Sequence, residues 1–421
     1  MLNKESVSTD HLQKLLDSNQ ETIIIPAGIY LTGPLFVKSH SHIIFEEGVV
    51  LKAITDESAY MLIPTRVAGI EMDWYPAILN IIDATDVIIE GRGIIDGSGP
   101  YWYEKYWGKN CQGGMRKEYD AKGLRWACDY DCKRPRNVLV SNSSSVVLKD
   151  FTSKDSGFWN VHILYSEKVT IAGIKIEAAK KEAPSTDGID IDSSTDVLVE
   201  NVITNCNDDS ICIKSGRDFD GRRVNKPAHN ITIRNCLIKK GYGITLGSEV
   251  SGGIYDVKIE NIKYENTDCG FRIKSAPTRG GYIKNIRLKN LEMFNVKYLF
   301  HLYLNWNPNY SICKLPADYK GEVPKHYESL ITNQEIILTK VTDIDIENVK
   351  ANYSSNYQGI GRIFNIEGYV EEPISNLSFK KVRASGLEFG ILNHISNVVF
   401  KDCDFTAKLK YDSRNDEYDN R

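Results

Sequence analysis

The sequence predicts an all-β fold, a right-handed parallel β-helix with a short N-terminal capping helix. Three observations carry this. First, a short strand pattern, apolar-x-apolar, recurs along the chain, usually with another apolar residue three positions on. It stands at Val87/Ile89, Val146/Leu148, Val169/Ile171, Val197/Val199, Ile231/Ile233, Val257/Ile259, Ile286/Leu288, Ile344/Ile346, Leu377/Phe379 and Val398/Phe400, with Asn, Asp or Ser commonly beside it. Second, counted between first residues, the steps are 59, 23, 28, 34, 26, 29, 58, 33 and 21. A period of roughly 20–35 residues means a solenoid or a propeller, and a propeller blade needs about 40. Third, the repeats are rich in β-branched residues and lack long amphipathic segments, which argues against helical repeats. No Leu-rich consensus is present either, so stacked coils of two or three short strands fit best. An ordinary β-sandwich array is the alternative. The two double steps read as places where a long insertion masks one instance each.

Taken in order, the chain reads as one β-helix domain over 1–421, with a cap over 1–35, an insertion over 97–137 and a charged tail over 408–421. Thr9 to Ser18 is expected to be a helix. Leu12, Leu15 and Leu16 share one face, and Ser8 or Thr9 serves as N-cap. Such a helix would cover the open end of the first coil, which would otherwise pair with other chains. The 97–137 insertion carries Tyr101, Trp102, Tyr103, Tyr106, Trp107 and Trp126. These are either a locally packed loop or a set of flat sugar platforms. The tail from Lys408 to Arg421 is expected to fray.

Bulk composition narrows the partners. The 421 residues are 42% apolar and 26% charged, with a formal net charge of −4. That balance does not fit a general nucleic-acid binder, which is usually clearly basic. No run approaches the ~20 apolar residues of a membrane helix. Met1 to Asp10 has no apolar core and is not a signal peptide, so the protein is expected either to be cytoplasmic or to be secreted or periplasmic after loss of a leader. Nine cysteines are scattered. Cys128 and Cys132 are spaced like two zinc ligands, but no second pair follows. Several of the others fall inside apolar strands, as small core residues do.

Chemistry concentrates in the central coils. Ser185-Thr186-Asp187-Gly188-Ile189-Asp190 is followed by Asn207-Asp208-Asp209-Ser210, and Asp187 stands 21 residues before Asp208, about one coil. Stacked one coil apart, Asp187, Asp208 and Asp209 would crowd together, which is costly unless one keeps a proton. Glycoside hydrolysis uses such a set: one protonated acid for the leaving oxygen and one carboxylate as base or nucleophile. Crowding separates the proton affinities with no metal or cofactor, and none is expected. Aspartates that cap turns or bind calcium are the competing reading, which suits Asp190 and Asp192. Further on come Gly241-Tyr242-Gly243 and Arg272-Ile273-Lys274. In register, Asp187, Asp208/Asp209, Tyr242 and Arg272/Lys274 would form one column. Two cations beside the acids either balance charge or grip a substrate carboxylate, as Arg does with two parallel hydrogen bonds.

These four motifs, in this order and spacing, resemble glycoside hydrolase family 28, the polygalacturonases and rhamnogalacturonan hydrolases, whose pattern is Asn-Thr-Asp, Asp-Asp, Gly-His-Gly, Arg-Ile-Lys. Ile25-Pro26-Ala27-Gly28 and Gly91-Arg92-Gly93 are similar too. The resemblance implies an inverting hydrolase of α-galacturonosyl linkages in pectin. By position it makes Asp208 the general acid, Asp187 and Asp209 the pair that activates water, and Arg272 and Lys274 the grip on a sugar carboxylate past the cleavage point. Trp306 falls roughly where relatives place a substrate-contacting aromatic. Ser185 replaces the usual Asn, and Tyr242 the usual His; the second change points towards relatives that cleave a galacturonosyl–rhamnose linkage. Ser215 to Pro227 lengthens its coil beside the acids, which in relatives goes with exo action. The expected partner is a galacturonate-containing plant cell-wall polysaccharide, bound by a monomer. A calcium-using pectate lyase and a non-catalytic carbohydrate-binding β-helix are the competing functions.

Overall fold

The computed structural model describes residues 7–18, 20–178, 180 and 182–411. It is a right-handed parallel β-helix built of three parallel ladders that follow one another around each coil. The first ladder holds the sequence repeat. Val87 pairs with Val146, and Val146 in turn with Val169, Val197, Ile231, Val257, Ile286, Ile344, Leu377 and Val398, all in one row. Alternate residues of each strand point inward, so the row from Val87 to Leu377 is buried. Burying a Val, Ile or Leu side chain is worth about 1.5–3 kcal/mol, and the row repeats that gain at every coil.

The double steps hide no extra coil. Val87 pairs directly with Val146, and Ile286 directly with Ile344. Each is a single coil lengthened by an excursion, one over 97–137 and the other over 305–339.

The polar residues beside the repeat make its corners. Asp86, Asn230, Asp256, Asn285, Asn376 and Asn397 precede the repeat with positive φ, a left-handed conformation that Asn and Asp tolerate best among side-chain-bearing residues. A second corner is lined by Asn235, Asn261, Asn290 and Asn348. Their side-chain amides bond coil to coil, Asn261 to Asn235 at 3.0 Å, Asn290 to Asn261 at 2.8 Å and Asn348 to Asn290 at 2.7 Å.

At the N-terminal end, the helix Thr9–Leu16 buries Leu12 and Leu16 against the first coil, and Leu15 packs partly buried beside them. Ser8 is its N-cap residue but makes no side-chain cap bond. Thr9 Oγ1 instead accepts from Gly33 N at 2.7 Å, tying the helix to that coil. The tail expected to fray lies partly in the strand Asp404–Leu409, and residues 412–421 lie outside the described residues.

Four excursions flank the third ladder: a hairpin of Ile63–Val67 and Ile70–Trp74, the 97–137 insertion, the helix Asp218–Val224 and the 305–339 segment. The hairpin, the insertion and the 305–339 segment pack on one another in a second core containing Val67, Trp74, Trp126, Tyr130, Tyr310 and Tyr327. Arg217, fully buried, ties them together. Its backbone N–H donates to Gly69 O at 2.8 Å, and its guanidinium donates to Tyr130 Oη at 2.8 Å and Tyr310 O at 2.9 Å.

Trp102, Tyr103, Tyr106 and Trp126 of the insertion are buried, so this loop is locally packed and these rings are no open platform. Cys128 and Cys132 are buried beside Tyr106. All nine cysteines are free thiols, and only Cys111 is fully exposed. No helix among the described residues is long and apolar enough to cross a membrane.

Candidate active site

The third ladder carries the site. Its strands Ile189–Asp192, Ile211–Lys214, Ile244–Leu246 and Cys269–Lys274 stack in that order. Asp187, Asp208/Asp209 and Tyr242 sit at the turns that lead into the first three. The turns interlock: Gly188 N donates to Asp209 O at 2.9 Å, and Tyr242 N to Asp208 O at 3.0 Å. Gly243 lets the chain through, since its φ is +68° and a Cβ there would stand 2.1 Å from Gly270 O.

The structure brings every expected site residue into one pocket of about 100 Å³, lined among others by Asp187, Asp208, Asp209, Tyr242, Arg272, Lys274 and Trp306. The expected column needs one correction. Arg272 is in register with Thr245, Cys212 and Asp190, and so starts further along its strand than Tyr242. Its long side chain reaches back over the Tyr242 ring, 4.5 Å from the centroid. Arg272 and Lys274 do point the same way, and both meet Asp209: Lys274 Nζ at 2.6 Å and Arg272 Nη1 at 3.5 Å. Lys274 Nζ also lies 4.6 Å over the Trp306 ring.

Facing carboxylate oxygens of Asp187, Asp208 and Asp209 lie within 4.8 Å of one another. Their surroundings push them apart in proton affinity. Burial, and then the charges of Asp208 and Asp190, hold the Asp187 carboxyl well above its ordinary range. Burial alone would raise Asp209 too, but Lys274 and Arg272 outweigh it and keep that carboxyl low. Asp208 is only partly buried and opens to the pocket. The cluster therefore combines a carboxyl whose proton affinity is held low with one whose affinity is held high, the division that acid–base chemistry on a glycosidic bond requires.

Sequence reasoning missed the polar floor. Asp190 and Asp192, expected at turns or as calcium ligands, do not sit at turns; both are fully buried on the strand Ile189–Asp192. Asp192 pairs with Arg66 of the hairpin at 2.9 Å. Asp190 accepts from Cys212 Sγ at 2.8 Å, and burial, countered by Lys214, pushes its carboxyl up to about 7. Lys214 is a buried cation among acids, 3.7 Å from Asp187, 3.6 Å from Asp190 and 3.3 Å from Glu249. Excursion residues also reach the pocket: Ala68 from the hairpin, Arg125 and Asp129 from the insertion, and Tyr310 from the last segment. The long insertion was a visible signal, but its contribution is a charged pair and not its aromatics.

A parallel β-helix with crowded acids and two cations in one pocket defines the class to which the chain is to be compared. The chain belongs to family 28 of the glycosyl hydrolases, whose sequence profile matches residues 18–314. It is 32% identical over 307 residues to a probable polygalacturonase of Vitis vinifera, a match covering 71% of this chain and 58% of that protein. An endo-polygalacturonase of Pectobacterium parmentieri is 27% identical over 308 residues, covering 69% of this chain and 70% of the relative. Among solved structures, a hyperthermoactive exopolygalacturonase from Thermotoga maritima superposes with a TM-score of 0.75 at 26% identity, covering 95% of this chain and 89% of the other.

Proposed function

We propose that this protein hydrolyses α-galacturonosyl linkages of pectin from a chain end, with inversion at the anomeric carbon. The observation that carries the hydrolase reading is the division of charge in the pocket: Asp209 is pinned at 2.6 Å by Lys274, while burial and like charges raise Asp187. Asp208, the acid most open to the pocket, donates the proton to the leaving oxygen. Asp187 and Asp209 orient the attacking water. As the glycosidic bond breaks, the leaving oxygen takes the proton from Asp208, and Asp209, the carboxyl held low, takes the proton that the attacking water gives up as its oxygen bonds to the anomeric carbon.

Inversion usually goes with carboxyl groups about 6.5–9.5 Å apart, leaving room for water between them. Here the facing oxygens of the trio lie within 4.8 Å of one another, a closest approach and not the separation of whole carboxyl groups. Arg272 and Lys274 meet the sugar carboxylate after the cleavage point, with Trp306 alongside.

Exo action is supported by the excursions, whose residues Ala68, Arg125 and Tyr310 add to the lining of the pocket. Tyr242 favours a second reading of the substrate, the galacturonosyl–rhamnose backbone. A phenol with an ordinary pKa near 10 does not share a proton at neutral pH as His does. In this chain it lies against the Arg272 guanidinium. A protein of this kind acts outside the cytoplasm, where its polymer is.

Product analysis on homogalacturonan and on rhamnogalacturonan backbone, side by side, tests the reading. Saturated galacturonate monomer is expected, with the β-anomer first by NMR. Unsaturated products absorbing near 235 nm would mean a lyase, α-anomer first would mean retention, and no products at all would mean a binding protein.

A further inference from the structure

The pocket floor holds a buried cation, Lys214, that takes no step in the hydrolysis. It ends the strand Ile211–Lys214, and its side chain is 5% exposed. Its Nζ donates to Glu249 Oε2 at 3.3 Å and stands 3.7 Å from Asp187 Oδ2 and 3.6 Å from Asp190 Oδ1. The Trp159 ring lies 5.1 Å from it. Burial works against the charge on Lys214, but Cys212, Glu249, Asp187 and Asp190 outweigh it and keep the ammonium protonated.

The acids divide their counter-charges unevenly. Asp209 has two close cations, Lys274 and Arg272. Among the described residues Asp187 meets one, Lys214, and that one is shared. Glu249 takes the hydrogen bond and stays ionised, because Lys214 and then Arg279 outweigh its burial. Its other oxygen accepts from Ser248 Oγ at 2.9 Å. Asp187 feels the same ammonium only from beyond hydrogen-bond reach, and burial, Asp208 and Asp190 leave its carboxyl high. The other titratable or charged groups nearby are Cys212, with Sγ 3.7 Å from Asp187 Oδ2, Asp209, and His162, which burial keeps neutral. Arg279, Lys274 and Arg217 stand around Glu249. Lys214 is the group within 4 Å of both Asp187 and Glu249.

We infer that Lys214 is a positioning residue for the acid trio, and that Glu249, by competing with Asp187 for its ammonium, tunes how firmly the trio keeps the proton meant for the leaving oxygen. This rests on the hydrolase reading above. An opposite charge within about 4–6 Å changes a carboxyl's proton affinity by roughly 1–3 pH units, so the share of Lys214 left to Asp187 is large enough to matter. The two partners act in opposite senses. Without Glu249 the ammonium belongs to the aspartates and draws the proton off sooner. Without Lys214 the aspartates hold it longer.

The test is the pH profile of kcat/KM on trigalacturonate for the parent, Glu249→Gln, Lys214→Met and the double variant. The alkaline limb reports loss of the proton that the coupled acids keep. Glu249→Gln should move it down by about one pH unit or more, and Lys214→Met should move it up by a similar amount. The double variant, which removes one charge of each sign, should return to within about half a unit of the parent. The acid limb follows Asp209 and its own cations and should move less. Should Lys214→Met not fold, Glu249→Gln and the double variant still have to differ. Shifts in the same direction, or a limb that stays put while activity falls, would be the mark of a floor that merely packs, and overturn the inference.

Infrared titration of the protonated-carboxyl band needs no turnover. Glu249→Gln should lose that band at lower pH than the parent, and the double variant at about the parent's pH. A band that titrates alike in all three overturns the inference even if the protein hydrolyses its substrate. The expected order supports it even if the parent releases no reducing ends, an outcome that would count against the hydrolase reading alone.

Discussion

Asp209 shows how much one side chain depends on its neighbours. It is 0% exposed, and a carboxylate buried without compensation would be too costly to keep ionised. Lys274 at 2.6 Å and Arg272 at 3.5 Å reverse that balance. Because its folded-state proton affinity is lowered, Asp209 stabilises the fold above the unfolded carboxylate pKa of about 4, and that contribution disappears as pH falls through the lower folded value. Lys274→Met should therefore cost about 3–5 kcal/mol near neutral pH, as losing one partner of a buried pair does. The gap from the parent should narrow below about pH 4, and denaturant unfolding at both pH values checks it. A gap that does not change with pH would assign the loss to packing. The acids and both cations were legible in the sequence because they fall one coil apart and in a known order. Lys214 was not. Ile211-Cys212-Ile213-Lys214 reads as an ordinary apolar strand, and its last residue is kept as a buried cation by Asp187, Asp190 and Glu249, the last of them 35 residues on.

The excursions explain the groove at the level of elements. Their apolar residues have no periodicity, because they pack on each other and not along a coil. Trp126 Nε1 donates to Lys314 O across 188 residues at 3.0 Å, a pairing that no local pattern announces. The length of 97–137 was legible for this reason and its partner was not. The double steps misled in the same way: a long excursion and a hidden coil give the same spacing. The hairpin tip is the narrowest joint. Gly69 has φ +85°, and a Cβ there would lie 2.4 Å from Arg217 Cβ and 2.8 Å from Arg217 N. Gly69→Ala should destabilise the protein by about 2–3 kcal/mol, from strain plus the shift of Arg217. The excursion core should loosen with it, and product analysis should show di- and trigalacturonate rising beside monomer. A lowered melting temperature with an unchanged product pattern would mean that the hairpin does not close the groove.

Across the whole molecule the solenoid separates stability from chemistry, because along its ladders each coil pairs only with its neighbours, and only the excursions reach further. The last coil illustrates this. Its strand Ile395–Lys401 lays Val398 and Phe400 onto Leu377 and Phe379, with the Phe379 and Phe400 rings 5.2 Å apart. Phe405 meets Phe364 at 5.1 Å. Past this coil the described chain ends on an open edge with Val399, Phe400 and Leu409 exposed. The site lies well before it. From Lys274 the ladder runs through Tyr303 and Glu367 to Asn393 before that coil begins. Removing residues 395–421 uncovers Ile374, Leu377 and Phe379, all at most 1% exposed in the intact chain, together with the backbone edge of their strand. Losing the cover of two Phe rings should cost roughly 5 kcal/mol or more. The freed edge should also pair between molecules, giving concentration-dependent association on size-exclusion chromatography. Below its lowered melting temperature the truncated protein should keep kcat/KM within about twofold of the parent, since no residue near the acids loses a neighbour. A folded, monomeric truncation with strongly reduced kcat/KM would show instead that the coils transmit strain along the axis, and that the site depends on the solenoid as a whole.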